Sequence, residues 1–187
     1  ATTLTLSVFG ISASPASAVG TYNGTSGTVE CLFNGTPDGT FTIENNIVTE
    51  HDSCNGHANV PTGVTAIGNE AFQQSPLRSI TLPNSLITIG DNAFTSSQLS
   101  SITIPTSVIT IGMNVFSQTE ISSITVTEPN NSYTSELGVL FNNDKSTLLV
   151  YPNNKPGLSY VVPAGVTTIG DFAFLQGNAL TSIALPN

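Results

Sequence analysis

The chain has 187 residues, 39% of them hydrophobic and only 8% charged, a size suited to a single domain. Its three basic residues, Arg78, Lys145 and Lys155, stand against twelve acids for a net charge of −9. That balance excludes nucleic acid and anionic lipid as partners, because both demand clustered Lys and Arg.

Residues 1–18 read as the tail of a secretory signal peptide. Leu4 to Ile11 is a short apolar run, and Ala16-Ser17-Ala18 is an A-x-A cleavage site. An ordinary N-terminal strand is the alternative. No later segment has the ~18 apolar residues of a membrane span, so no membrane insertion is expected.

Residues 19–59 are expected to form an N-terminal β cap over the remainder of the chain. Phe41-Thr42-Ile43 and Ile47-Val48-Thr49 flank Glu44-Asn45-Asn46 as a hairpin would. Cys31 and Cys54 are the only cysteines. Behind an export signal they are predicted to bond to each other, in preference to two free thiols or half a metal site.

From Val60 to Asn187 one phrase recurs: P-x-x-(V/L)-x-x-I-G-x-x-(A/V)-F, then (L/I)-x-S-I-x-(L/I/V). Copies start at Pro61, Pro83, Pro105 and Pro163, and a fifth is cut off after Pro186 and Asn187. A period of about 22 residues marks a solenoid, whose units bury their apolar faces only against one another. In the coil Pro83–Ile104, Ile102 and Ile104 share one strand face, with Ser101 and Thr103 on the other. Gly90 suits a turn with positive φ or a close backbone approach. Asp91-Asn92-Ala93-Phe94 reads as one helical turn capped by Asp91.

Stacking predicts three buried columns: Ile67, Ile89, Ile111 and Ile169; Phe72, Phe94, Phe116 and Phe174; Ile80, Ile102, Ile124 and Ile183. The opposite strand face becomes a hydroxyl array of Ser79, Thr81, Ser101, Thr103, Ser123, Thr125 and Ser182. The last coil ends at Leu185 with no polar cap behind it. The native protein is therefore expected to continue, with self-association through the bare C-terminal end as the alternative.

The motifs P-N-S-L-I-T-I-G-D-N-A-F (83–94), P-T-S-V-I-T-I-G-M-N-V-F (105–116) and P-A-G-V-T-T-I-G-D-F-A-F (163–174) resemble the BspA-like leucine-rich repeat family. So does G-V-L-F-N-N-D-K-S-T-L-L-V-Y-P (138–152), a variant unit. Ser75, Ser97, Thr119 and Gly177 stand where that family often has Cys. The resemblance implies a right-handed β-rich coil stack with parallel ladders and short helical turns. It also implies a bacterial-type secreted or surface protein, used in adhesion or binding.

Residues 127–162 interrupt the array. Gly138–Phe141 and Thr147–Tyr151, linked by Asn142-Asn143-Asp144-Lys145, read as a hairpin projecting from or extending one coil. Two of the three cations and three of the four tyrosines lie in this stretch. Tyr133, Lys145, Tyr151, Lys155 and Tyr160 are therefore the candidate ligand contacts, for an extracellular protein or a glycan. Internal packing of the tyrosines is the competing explanation.

Catalytic chemistry finds little support. Glu50-His51-Asp52-Ser53 with His57 nearby does not build a triad, since adjacent residues point apart, and its spacing matches no strong metal signature. Asp91 and Asp171 occupy equivalent repeat positions, with Asn69 and Met113 in the other copies, so repetition explains them. No catalytic residue, metal site or cofactor is assigned. Glycosylation sequons start at Asn23, Asn34 and Asn130. The leading expectation is a surface binding or adhesion module without catalysis. A structural spacer or stalk is the alternative, and ice or crystalline-polysaccharide binding by the Ser/Thr array a minor one.

Overall fold

The computed structural model describes residues 21–175, 177 and 179–186, so the expected signal peptide lies outside the described residues. Over them the chain winds as a β-solenoid of about six turns. It begins with an antiparallel meander of β1 (Gly27–Phe33), β2 (Thr36–Glu44) and β3 (Ile47–Asp52). Asn45 and Asn46 join β2 to β3 with φ of 52° and 63°. A two-residue type I′ loop needs positive φ at both positions, which Asn tolerates. Cys31 and Cys54 form a disulfide with Cα atoms 5.4 Å apart, tying β1 to the chain beyond β3.

Coils follow in which a longer strand alternates with a two-residue one: β4 (His57–Asn59), β5 (Ala66–Ile67), β6 (Ser79–Thr81), β7 (Thr88–Ile89), β8 (Ser101–Ile104), β9 (Thr110–Ile111) and β10 (Ser123–Val126). The short strands make one parallel ladder seeded by the meander: Val48↔Ile67, Ile67↔Ile89, Ile89↔Ile111. The prolines of the repeat open identical turns. Val64, Leu86, Val108 and Val166 each donate their amide to the carbonyl of the proline three residues earlier. Ser85 and Ser107 then reach back one coil, their hydroxyls donating to the carbonyls of Val64 and Leu86.

The expected helical turn at 91–94 is instead an open turn, and no helix occurs among the described residues. Asn92 sits at φ 54°, which breaks any helical run, and Glu70, Asn114 and Phe172 do the same in their coils. Asp91 does not cap its own turn. Its carboxylate accepts the amide of Met113 in the next coil (2.7 Å), just as Asn69 Oδ1 accepts that of Asp91 (2.9 Å). These side chains explain the repeat glycines. A Cβ on Gly90 or Gly112 would collide with Asn69 or Asp91, so close approach and not positive φ is the reason for glycine here.

Phe72, Phe94 and Phe116 stack face to face, with centroids 5.7 and 6.1 Å apart. Ile67, Ile89, Phe72, Phe94, Ile102, Phe116 and Ile124 are buried, while Ile80 and Ile111 are half-buried at the edge of the same core. Burying each such side chain contributes roughly 1.5–3 kcal/mol. The last coil departs from this expectation. Ile169 and Ile183 are 40% and 43% exposed, and Phe174 is half-buried, because no coil of the described residues stacks on their far side.

After β10 the chain makes a second meander, of β11 (Tyr133–Glu136), β12 (Val139–Asn142) and β13 (Thr147–Val150). The expected hairpin is thus β12–β13, with β11 added on its outer side. It does not project; Leu148 pairs with Ile169 and seeds a new parallel ladder. A further coil follows, with β14 (Ser159–Val161), β15 (Thr168–Ile169) and β16 (Ser182–Ala184).

The two meanders restart the stack in the same way. Thr65 and Ala66 both donate to the carbonyl of Asn46, and Thr167 and Thr168 both donate to that of Ser146. Gly68 donates to Val48 and Gly170 to Leu148, each at 2.8 Å. His51 lies over Phe72 at 6.0 Å, as Tyr151 lies over Phe174 at 5.2 Å. Gly63 and Gly165 share a φ of +98°. The first coil after each meander therefore reads V-P-x-G-V-T, with glycine where inner coils have Ser85 and Ser107.

A candidate site at the break in the stack

The second meander fits less well against the coil before it than the first does against the coil after it. The aromatic column stops at Phe116 and resumes with Tyr151 on Phe174. Between them lies a groove of about 220 Å³. Met113 to Ser117 form one wall, Leu149 to Tyr151 and Asn153 the floor, and Gly170 to Ala173 with Leu175 the other wall. Met113 and Phe172 are 65% and 64% exposed, which makes an apolar rim around a polar backbone.

Two buried amides hold the meander in place. Asn130 Nδ2 donates to the carbonyls of Pro105 and Val108, continuing the column that Ser85 and Ser107 begin, while its Oδ1 accepts from Ser132 and Tyr133. Asn153 Nδ2 donates to the carbonyls of Phe116 and Thr119. The Asn130 sequon is therefore no glycosylation acceptor in the folded chain, because its amide nitrogen is buried and engaged.

The five candidate contacts separate. Tyr151 is buried and packs edge-on against Tyr160, with centroids 4.9 Å apart. It forms floor, not contact surface, which corrects the expectation of an accessible ring. Tyr160 is half-buried; burial first, then Glu136 and Tyr151, push its pKa up to about 12. Burial also raises Tyr151 and Tyr133, the latter opposed by the Ile111 amide, which donates to its hydroxyl at 2.9 Å. Lys145 is exposed and paired with Glu136 at 2.7 Å. Lys155 donates to the carbonyl of Leu137. Only Tyr133 and Tyr151 of the five line the groove. Met113, Asp171, Phe172 and Leu175 were missed, because they appear in sequence as ordinary repeat positions.

The histidine cluster is dispersed. His51 Nδ1 bonds the carbonyl of Ala71, whereas His57 lies across β6, its two ring nitrogens bonded to the hydroxyls of Ser79 (2.9 Å) and Thr81 (3.1 Å). Burial lowers the pKa of His57. In the hydroxyl array, Ser79, Thr81, Ser101, Thr103 and Thr125 are exposed and Ser123 is half-buried under Gly138. Ser182 pairs with Ser159 in the later ladder, so the array is not continuous across the meander.

The BspA-type leucine-rich repeat region, in six copies, matches residues 42–155. The chain belongs to this family. Two solved structures resemble this BspA-type chain. The pneumococcal vaccine antigen PcpA is 32% identical, with a TM-score of 0.67, over 71% of this chain and 34% of its own. A leucine-rich cell surface protein from Faecalibacterium prausnitzii is 28% identical, with a TM-score of 0.60, over 69% of this chain and 41% of its own. The BspA-type chain thus spans between a third and two fifths of the length of these two proteins. A search among curated proteins gives no match.

Proposed function

We propose that this chain is a binding module of a secreted or cell-surface bacterial protein, which engages an extracellular protein or glycan through the groove at the break in the stack. The family, the surface protein among the structural relatives and the disulfide support the location, since disulfides persist in oxidising compartments. The groove carries the functional reading. It is a concavity where apolar side chains and backbone polar groups converge. The coils themselves present mainly Ser and Thr, poor anchors for a partner.

A spacer role is the second reading, favoured by the regular ladders on either side of the break. An array of extracellular matrix proteins and glycans separates the two, probed with the protein and with Leu175→Trp, which narrows the groove from its rim. Binding that the variant loses supports the module; silence of the unmodified protein across the array supports the spacer.

A further inference from the structure

At the turn that carries the column phenylalanine, residues 70–74 and their equivalents, main-chain bonds between neighbouring coils run one way. The amides of Glu70, Phe72 and Gln74 donate to the carbonyls of Asp91, Ala93 and Thr95. Those of Asn92, Phe94 and Ser96 donate in turn to Met113, Val115 and Ser117, and the six bonds span 2.8–3.1 Å. Positive-φ residues four apart, such as Asn92 and Ser96, accompany this arrangement. At this turn each coil therefore shows an amide edge to the coil after it and a carbonyl edge to the coil before.

The third coil keeps the conformation, with φ of 54° at Asn114 and 56° at Gln118. Its next neighbour is the second meander, whose Asn153 side chain donates to Phe116 and offers no carbonyl row. The amides of Asn114 and Phe116 consequently donate to no group among the described residues. Both residues line the groove. Backbone donors without a partner are rare in folded proteins, and such groups favour any ligand that supplies an acceptor.

We propose that this amide edge docks a peptide segment, whose alternate main-chain carbonyls accept from Asn114 and Phe116 as a fourth regular coil would. The proposal rests on the reading of the groove as the binding site and names its ligand chemistry. Two donors two residues apart on one backbone match carbonyls two residues apart on another, as the six bonds of the stack demonstrate. As in strand addition, such docking draws affinity from main-chain bonds and selectivity from a pocket. The groove is small for a whole organic ligand, whose pockets start near ~300 Å³. It suits one anchoring apolar side chain, held among Phe116, Leu140 and Tyr151. Asp171 on the wall and the net charge of −9 disfavour a carboxylate and favour a neutral or basic peptide.

The test uses nitrogen-15-labelled protein and a synthetic peptide of the sequence 112–117, end-blocked and with one added lysine at each end. In the stack this segment is the one whose carbonyls accept from the coil before it. Saturable downfield shifts of the Asn114 and Phe116 amide protons, with those of Phe72 and Phe94 unmoved, are expected. Leu175→Trp should weaken this binding at least about tenfold, a change of ~1.4 kcal/mol. Asp171→Lys should weaken the lysine-tipped peptide and strengthen an aspartate-tipped one. No shift at millimolar peptide, or shifts confined to the hydroxyl array, would overturn the proposal. So would acetate producing the same two shifts at equal concentration, which would make the site a carboxylate site. Array binding that Leu175→Trp abolishes, without peptide shifts, would leave the groove reading standing and remove the peptide. Peptide shifts with a silent array would keep the groove and its peptide and remove the matrix proteins and glycans of the array as its partners.

Discussion

The two meanders are one backbone device used in two situations. Both send a third strand into a parallel ladder, both place an aromatic or imidazole ring over the next phenylalanine, and both are followed by a P-x-G turn. Among the described residues the first has a coil on one side only, and it is closed by a disulfide. The second stands between two stacks and is held to the earlier one by the side chains of Asn130 and Asn153. Side-chain amides satisfy individual carbonyls but do not supply a new row of them. A unit that starts a stack well therefore finishes the preceding one incompletely, and the groove is the geometric result.

This contrast predicts unequal sensitivity along the column. Phe94→Ala, inside the continuous stack, should cost about 3–5 kcal/mol through the cavity it leaves. Phe174→Ala, half-buried beyond the break, should cost less than half as much. Urea midpoints of the two variants measure the difference, and equal losses would mean that Phe174 is covered as fully as Phe94.

Opening the disulfide with Cys31→Ser and Cys54→Ser together should cost about 3 kcal/mol by the loop-entropy estimate. The loss should fall on the first meander, leaving the second with its original exchange protection. Asn130→Ala should do the opposite. It strips the carbonyls of Pro105 and Val108 of their donor and should cost about 1–3 kcal/mol. Its exchange signature should be confined to β11–β13. A variant that loosened both meanders equally would contradict their independence.

The smallest effect is in pH. Tyr160 ionises near 12 in the fold, against ~10 for an unfolded tyrosine. Below pH ~10 both states hold the proton, and the contribution to stability is constant. Between ~10 and 12 the unfolded state releases it first, so stability falls as pH rises through that window. Tyrosinate absorbance should show a titration near 12 that Tyr160→Phe removes. His57 has the opposite sense, since burial lowers its pKa, and its contribution is lost as pH drops below ~6.5.

The coils were legible in the sequence because each column position answers to one physical demand. Phenylalanine fills the axis, and the Pro-opened turn closes on the third residue after it. The disulfide and the Asn45-Asn46 hairpin were legible for similar local reasons. The turn at 91–94 was not, because the positive φ of Asn92 goes with bonds to neighbouring coils that no local propensity reveals. The kinship of the two meanders was written in V-P-T-G-V-T and V-P-A-G-V-T, where glycine replaces the serine of inner coils. The groove was not written anywhere, for it follows from a carbonyl row that is missing between units far apart in sequence. Tyr151 misled because aromatic content alone does not separate a contact surface from the floor beneath it.

Native-state hydrogen exchange, read residue by residue, decides whether the stack is broken at the second meander. Phe94 and Phe116 occupy the same place in successive coils, with rings 6.1 Å apart, yet of the two only the Phe94 amide has a carbonyl partner among the described residues. The Phe116 and Asn114 amides are expected to exchange at least about a hundredfold faster than those of Phe94 and Asn92. Equal protection of the two pairs would show that the stack passes through the second meander unbroken, and would contradict both the groove and the amide edge that lines it.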